Sequence, residues 1–363
     1  MSFRALVGST ALIVSTPACN ALPSPGARVE AERASVIYDT DDRLEVFELS
    51  DSPASRLAAR TAALGRREHL RFDGAHGVSV EAPSWTDSVG LCPDERFSNQ
   101  PSFALCTGLL VGRDLVVTAA HCLATGLEPS ELVLVEGFRY ESRDELAGIG
   151  RDQVHEILEV VAVKPHVDIA WLRISNPLEE PVPWNALQAL PDIDLPVLGI
   201  NHGGGIPAKV DAGGHVLEVE EGSVFVDLDA FGGASGGPVF SWTGALVGIL
   251  TAGLTDYELS ERGCLTYTHT SAIPGLNGEL ATGADAAGAV LCERVPDAPP
   301  CSNTVESGPA MEPGCSLSRR HGDESWLLFA AGALIAAWLR RTRDGTDPVA
   351  KSSRPGSPGR SYF

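Results

Sequence analysis

The stretch CTGLLVGRDLVVTAAHC, residues 106–122, holds two short apolar runs, Gly108–Val111 and Leu115–Val117, separated by Gly112-Arg113-Asp114. Glycine and aspartate between β-branched runs are turn formers, so the stretch reads as two consecutive short strands. The pattern continues through Leu132–Val135, Ile157–Val163, Ile169–Ile174, Val197–Ile200, Val216–Val219, Val224–Leu228 and Leu246–Leu250. Gly203-Gly204-Gly205 and Ala212-Gly213-Gly214 are among the breaks. Short strands at this spacing argue for an all-β barrel or sandwich rather than alternating βα units. Upstream, Ser55–Leu70 (SRLAARTAALGRREHL) has helical periodicity and few β-branched residues, which predicts one helix before the barrel.

Composition bounds the function. Lys and Arg total 27 against 48 Asp and Glu, a formal charge of −21, and phosphate contacts need a basic face, so nucleic acid is not an expected partner. With 44% hydrophobic residues and 38 glycines among 363, the chain is globular and turn-rich rather than disordered or collagen-like. The 8 cysteines, spread from Cys19 to Cys315, never take the paired short spacing of a zinc site, and an oxidising compartment accounts for them better.

Both ends read as targeting segments. Arg4, the apolar stretch Ala5–Val14 and the small residues around Ala18-Cys19-Asn20-Ala21 are built like a secretory signal peptide over 1–21. Trp326–Leu339 is an uncharged apolar run followed by Arg340, Arg341 and Arg343. At about 1.5 Å per residue it spans roughly 21 Å, short of the roughly 30 Å hydrocarbon core. With Cys315 before it, the arrangement resembles the C-terminal sorting tags of some Gram-negative bacterial surface proteins, with the arginines cytoplasmic. The expected organisation is a signal peptide (1–21), an N-terminal extension (22–89), a catalytic domain (90–283), a stalk (284–320), an apolar segment with its arginine cluster (321–343) and a tail (344–363). The protein is thus expected outside the cytoplasm, secreted or held at a membrane by the C-terminal segment.

Three separated segments carry the chemistry. Thr118-Ala119-Ala120-His121-Cys122 ends a strand with small residues before a histidine, which lets the imidazole lie at a strand end facing a cleft. Asp168 opens the apolar strand Ile169–Ile174, where a carboxylate is costly unless something donates to it, and an imidazole N–H is a suitable donor. Asp192 and Asp194 compete for that role but lie among prolines in a loop-like segment. Gly232-Gly233-Ala234-Ser235-Gly236-Gly237 surrounds a serine with residues that permit the tight, positive-φ backbone that exposes Oγ and converges backbone N–H groups. A serine nucleophile needs a base and the base an orienter, and all three are present.

These three segments together resemble the trypsin-like, chymotrypsin-fold serine proteases over roughly residues 90–275. The resemblance implies two six-stranded antiparallel β-barrels with the active site between them, and hydrolysis of peptide bonds in protein or peptide substrates through an acyl-enzyme. It gives His121 the role of general base, Asp168 that of its orienter and Ser235 that of nucleophile, with the N–H groups of Gly233 and Ser235 as oxyanion hole. It also implies a Cys106–Cys122 disulfide. Of the remaining cysteines, Cys292 with Cys301 would close a short loop and leave Cys92 with Cys264. Neither a metal nor another cofactor is expected, and the chain is expected to act as a monomer.

The pattern departs from the animal digestive enzymes. Ala234 stands where they carry the aspartate that receives a new N-terminal ammonium, and no Arg-Ile-Val-Gly-Gly activation sequence precedes it. The interval Asp168–Ser235, the Gly199–Pro207 segment and a weaker likeness over Val36–Val46 are closer to secreted bacterial glutamyl endopeptidases. Those relatives place a histidine where this chain has Leu250, however, which argues against a Glu preference. Asp229, six residues before Ser235, is then the candidate floor of the primary specificity pocket, with Thr251 and Gly253 in its wall, although Phe231 replaces the cysteine that braces that pocket in trypsin. A catalytically silent binding or adhesion protein that keeps the fold is the alternative reading.

Overall fold

Thr61–Arg66, the centre of the expected helix, is a strand of the first barrel. The computed structural model describes residues 37–301 apart from 50–51, 75–76, 188 and 272–277. In chain order its main strands are β1 (Arg43–Glu45), β2 (Thr61–Arg66), β3 (Ala104–Val111), β4 (Leu115–Ala119), β5 (Leu132–Glu136), β6 (Val154–Lys164) and β7 (Ile169–Ile174). They are followed by β8 (Val197–Asn201), β9 (Lys209–Asp211), β10 (Val216–Glu220), β11 (Ser223–Val226), β12 (Pro238–Ser241), β13 (Leu246–Ala252) and β14 (Glu279–Gly283). Strands β2 to β7 close an antiparallel barrel in the order β6-β7-β4-β3-β2-β5. The second half is an eight-stranded antiparallel sheet, β10-β11-β14-β13-β12-β8-β9-β1, the half-barrel counterpart of the first in the expected double-barrel plan. Its last member, β1, comes from the segment expected to lie outside the catalytic domain and pairs with β9 through Leu44 and Val210.

The expected helix shrinks to α1 (Pro53–Ala58), where Ser52 Oγ accepts the Ser55 N–H and Pro53 opens the first turn. Beyond it, β2 pairs on both sides, with β3 and with β5, and Ala62, Ala63 and Leu64 are fully buried. Its small residues let neighbours pack flat: the Phe103 ring lies over Gly65 so closely that any Cβ there would collide with it. A ladder bonded on both edges outweighs the helical propensity of Ala, Leu and Arg, which tertiary pairing readily overrides.

The seam between the two sheets is apolar. Trp171 of β7 is fully buried there with Leu198, Ile200, Val210, Phe240 and Ile249. Its indole N–H donates to the Ala287 carbonyl at 2.9 Å, which ties the barrel to α3 (Ala284–Cys292), the helix that follows α1 and the short α2 (Trp85–Val89) in chain order. Ala287, Val290 and Leu291 bury the inner face of α3 in the same cluster. Residues 284–301, read as the start of a stalk, are therefore part of the folded body, because they cover this seam. Disulfides join Cys92 to Cys264, Cys106 to Cys122 and Cys292 to Cys301, with Cα–Cα distances of 5.1, 6.1 and 5.4 Å. Among the described residues no helix is long and apolar enough to cross a membrane. The expected signal peptide, apolar run, arginine cluster and tail lie outside the described residues.

Candidate active site

Strand β4 ends in a single 3-10 turn, Ala120–Leu123, that carries His121 at the mouth of the seam. The turn is fastened to Asp168 at three points. Its Ala120 N–H donates to the Asp168 carbonyl at 3.0 Å, its His121 N–H donates to Asp168 Oδ1 at 2.9 Å, and His121 Nδ1 lies 2.6 Å from Asp168 Oδ2. Asp168 takes φ +54, a left-handed conformation that Asp tolerates better than most residues, just before β7 begins. A carboxylate that accepts from both the backbone and the ring fixes the imidazole plane. It also keeps the proton on Nδ1, which leaves Nε2 as the basic nitrogen.

Ser235 sits between Gly233 (φ +103) and Gly236 (φ +86). A Cβ at Gly236 would collide with the Thr107 carbonyl oxygen, so this glycine answers both a backbone and a space requirement. The loop is held by hydrogen bonds from several elements. Thr107 donates its N–H to the Ser235 carbonyl and its hydroxyl to the Gly233 carbonyl, both at 2.8 Å. The same hydroxyl accepts the His202 N–H at 2.9 Å, and Thr118 Oγ1 donates to the Thr107 carbonyl at 2.7 Å. The Gly204 N–H donates to the Gly232 carbonyl at 2.8 Å, and the Gly232 N–H donates to Asp256 Oδ2 at 2.9 Å. With the carbonyl of the Gly232–Gly233 peptide turned toward Gly204, its N–H points the opposite way. Among the described residues neither the Gly233 nor the Ser235 N–H donates to a protein acceptor. Ala234 is 3% exposed and packs in the apolar interior of the second sheet, where no ammonium is needed to hold the loop.

His121 and Ser235 line one cavity of about 270 Å³, walled by Ala230–Ser235 on one side and Leu250–Gly253 on the other. Thr251 and Gly253 are thus in its wall. No hydrogen bond joins the His121 ring to Ser235 Oγ, a contact that commonly tightens only with substrate. Asp229 is not at this cavity. It is 2% exposed and its carboxylate accepts the N–H groups of Tyr38 at 2.7 Å and Asp42 at 3.3 Å. Six residues before the serine is too far back along the turn: the backbone has already left the cavity wall at Leu228–Asp229 and faces β1 and β9. Asp192 and Asp194 do not line the cavity either.

Two further features bear on chemistry. His202, under the serine loop, is fully buried and stacks on Phe138 at 5.9 Å between ring centres, with Nδ1 3.1 Å from the Ile206 carbonyl. Burial pushes its imidazole down to about 4, so it stays neutral and donates to Ile206. The carboxylates of Asp42, Asp211 and Asp229 lie within 4.8 Å of one another. Asp211 accepts the Asp229 N–H, and burial, followed by the charge of Asp229, raises it well above the usual carboxylate range. Burial likewise pushes Asp229 up to about 7.

Sequence reasoning passed over Thr107, Thr118 and Asp256. The first two had a legible signal, a hydroxyl inside an otherwise apolar strand run. Asp256 had none, since it acts from a loop 21 residues beyond the serine.

A closed barrel facing an open antiparallel sheet, with histidine, aspartate and serine converging on the cleft, defines a chymotrypsin-like double-barrel architecture. Residues 106–249 match the family model of the trypsin-like peptidase domain. No curated protein sequence matches the chain. Among solved structures it is similar to the Mycobacterium tuberculosis protease Rv3671c in an inactive mutant form, with 13% identity and a TM-score of 0.42 over 73% of this chain and 98% of that one. It is also similar to the active form of that protease, with 14% identity and a TM-score of 0.42 over 76% and 94% of the two chains. A serine endoprotease from Yersinia pestis matches with 17% identity and a TM-score of 0.42 over 67% and 65%.

Proposed function

We propose that the protein is a serine endopeptidase acting outside the cytoplasm. The observation that carries this reading is the His121–Asp168 contact of 2.6 Å at the cavity that Ser235 also lines. His121 Nε2 takes the proton of Ser235 Oγ as that oxygen attacks the substrate carbonyl carbon. Asp168 stabilises the imidazolium, and the tetrahedral oxyanion accepts from the N–H groups of Gly233 and Ser235. One such donor typically contributes about 2.7–4 kcal/mol in the transition state. The imidazolium then protonates the leaving amine, and water repeats the sequence on the acyl-enzyme to regenerate Ser235. Thr251 and Gly253 flank the side chain next to the scissile bond. Export through residues 1–21 fits three disulfides in the folded body.

A fluorophosphonate probe tests the reading. Wild type is expected to be labelled at Ser235 and Ser235→Ala to be silent. A wild type that stays unlabelled beside a labelled control protease, or equal labelling of the variant, sinks it.

A further inference from the structure

Behind the Phe231 wall of the cavity lies a buried cation, Arg43 of β1, which is 2% exposed. Its Nε and Nη2 donate to the two carboxylate oxygens of Asp41 at 2.9 and 2.7 Å. Burial opposes its charge, but hydrogen bonding to Asp41, and then the charge of Asp41, outweigh burial and hold the guanidinium above its ordinary pKa. The rings of Phe231, Tyr267, Phe97 and Trp85 lie around it, with centres 4.5, 5.0, 5.3 and 5.8 Å from its central carbon. A guanidinium taken out of water is attracted to ring faces, and its planar fork fixes the angle at which it meets them.

Two of these rings reach the serine loop. Phe231 lines the cavity with Ser235, and its carbonyl accepts the Ala234 N–H at 2.7 Å, which closes the turn that carries Gly232 and Gly233. Trp85, the first residue of α2, lies so close to Gly204 that any Cβ there would collide with its indole. Gly204 in turn donates its N–H to the Gly232 carbonyl at 2.8 Å. The rings around Arg43 therefore grip both sides of the hydrogen bond that orients the Gly232–Gly233 peptide. The chain on either side of Arg43 holds the same turn further back, since Asp229 accepts the N–H groups of Tyr38 and Asp42.

We propose that Arg43 is a positioning residue for the oxyanion hole, clamping Phe231 and Trp85 from behind so that the Gly233 N–H stays turned into the cavity. The proposal rests on the endopeptidase reading and extends its machinery to a strand outside residues 106–249, the part that matches the trypsin-like peptidase domain. Ala234 offers no carboxylate for a cation to pair with, so this cation acts on the loop through ring faces. Without the guanidinium the rings close on the space it leaves, Phe231 shifts, and the Gly232–Gly233 peptide turns with it. Substrate is still held by the rest of the cavity, and the loss falls on the step in which the oxyanion forms.

The test compares wild type with Arg43→Met, which keeps the apolar stem but removes the charge and the fork, and with Arg43→Lys, which keeps the charge alone. Fluorophosphonate labelling records separately the fraction of molecules labelled at Ser235 and the rate per labelled site, and a chromogenic substrate gives kcat and KM. Arg43→Met is expected to be labelled to the same final extent but about 10–100-fold more slowly, with kcat falling in step, KM changing only a few-fold and Arg43→Lys in between. A rate per site equal to wild type overturns the proposal, and so does a reduced labelled fraction whose surviving sites react at the wild-type rate, which marks a loss of stability alone. Combination with Phe231→Leu gives a further reading. Because Arg43 acts through that ring, the double variant is expected to lose less than the product of the two single losses, and losses that multiply overturn the proposal. Should Arg43→Met fail to fold, Arg43→Lys decides by the same readouts. Each of these results leaves the endopeptidase reading standing, whereas a wild type that stays unlabelled overturns that reading and the proposal with it.

Discussion

Thr107, which lies outside the serine loop, holds that loop through both its backbone and its hydroxyl. Its hydroxyl donates to the Gly233 carbonyl and accepts from His202, so replacing it with valine strands two buried polar groups at once. Each such loss costs about 1–3 kcal/mol. Thr107→Val is therefore expected to lower the thermal midpoint and to slow acylation more than it weakens substrate binding, with Thr107→Ser restoring both; stopped-flow acylation with a chromogenic ester measures this. His202 gives a second expectation. Its folded value of about 4 lies below its ordinary 6.5, so the unfolded chain takes up the proton first. The associated stability is full above pH 6.5 and is lost as pH falls through 4, in an amount of roughly 3 kcal/mol. Urea unfolding of wild type and His202→Gln at pH 7.5 and 4.5 checks it. The variant should lose less on acidification, and an identical loss would show that the buried imidazole is not responsible.

At the scale of elements, the site strands were the legible part. Alternation broken by Gly-Arg-Asp locates β3 and β4, and the histidine follows directly from where β4 must stop. β2 was not legible, because Ala62, Ala63 and Leu64 are good helix formers whose state is decided by pairing with β3 and β5, strands 40 and 70 residues away. The helix α3 was hidden by its composition, since alanines and a glycine read as linker until Trp171 supplies the surface they cover. That packing has a measurable weight. Trp171→Ala removes a fully buried indole and its bond to Ala287, and an expected loss of about 3–5 kcal/mol should appear as a lower urea midpoint, with Trp171→Phe in between.

For the molecule as a whole, the Cys92–Cys264 bridge closes a loop of 172 residues, joining the β2–β3 connection of the first barrel to the β13–β14 connection of the second sheet. In the chain-entropy account a loop of this length is worth about 5 kcal/mol, and native bridges commonly deliver about 2–5. The double variant Cys92→Ser, Cys264→Ser is expected to lose a few kcal/mol while keeping fluorophosphonate labelling at low temperature, because the bridge touches neither the His121 turn nor the serine loop. Loss of labelling in a variant that still unfolds cooperatively would mean that the bridge shapes the site.

The sheet that does not close has two outer rims, and strand rims are where chains add to one another. One rim, β1, is three residues long and is entered through Asp39, Asp41 and Asp42. The other, β10, is covered at Val216 by the 194–195 segment, is bulged between Val216 and Glu218, and then presents Glu218, Glu220 and Glu221. A second copy laid along either rim would bring carboxylates against carboxylates, so the acidity of this chain acts as a guard against strand-to-strand growth. The guard depends on ionisation: acidification into the carboxylate range, or Glu218→Gln with Glu220→Gln, removes it and is expected to make the open rims the place where fibrous assembly begins.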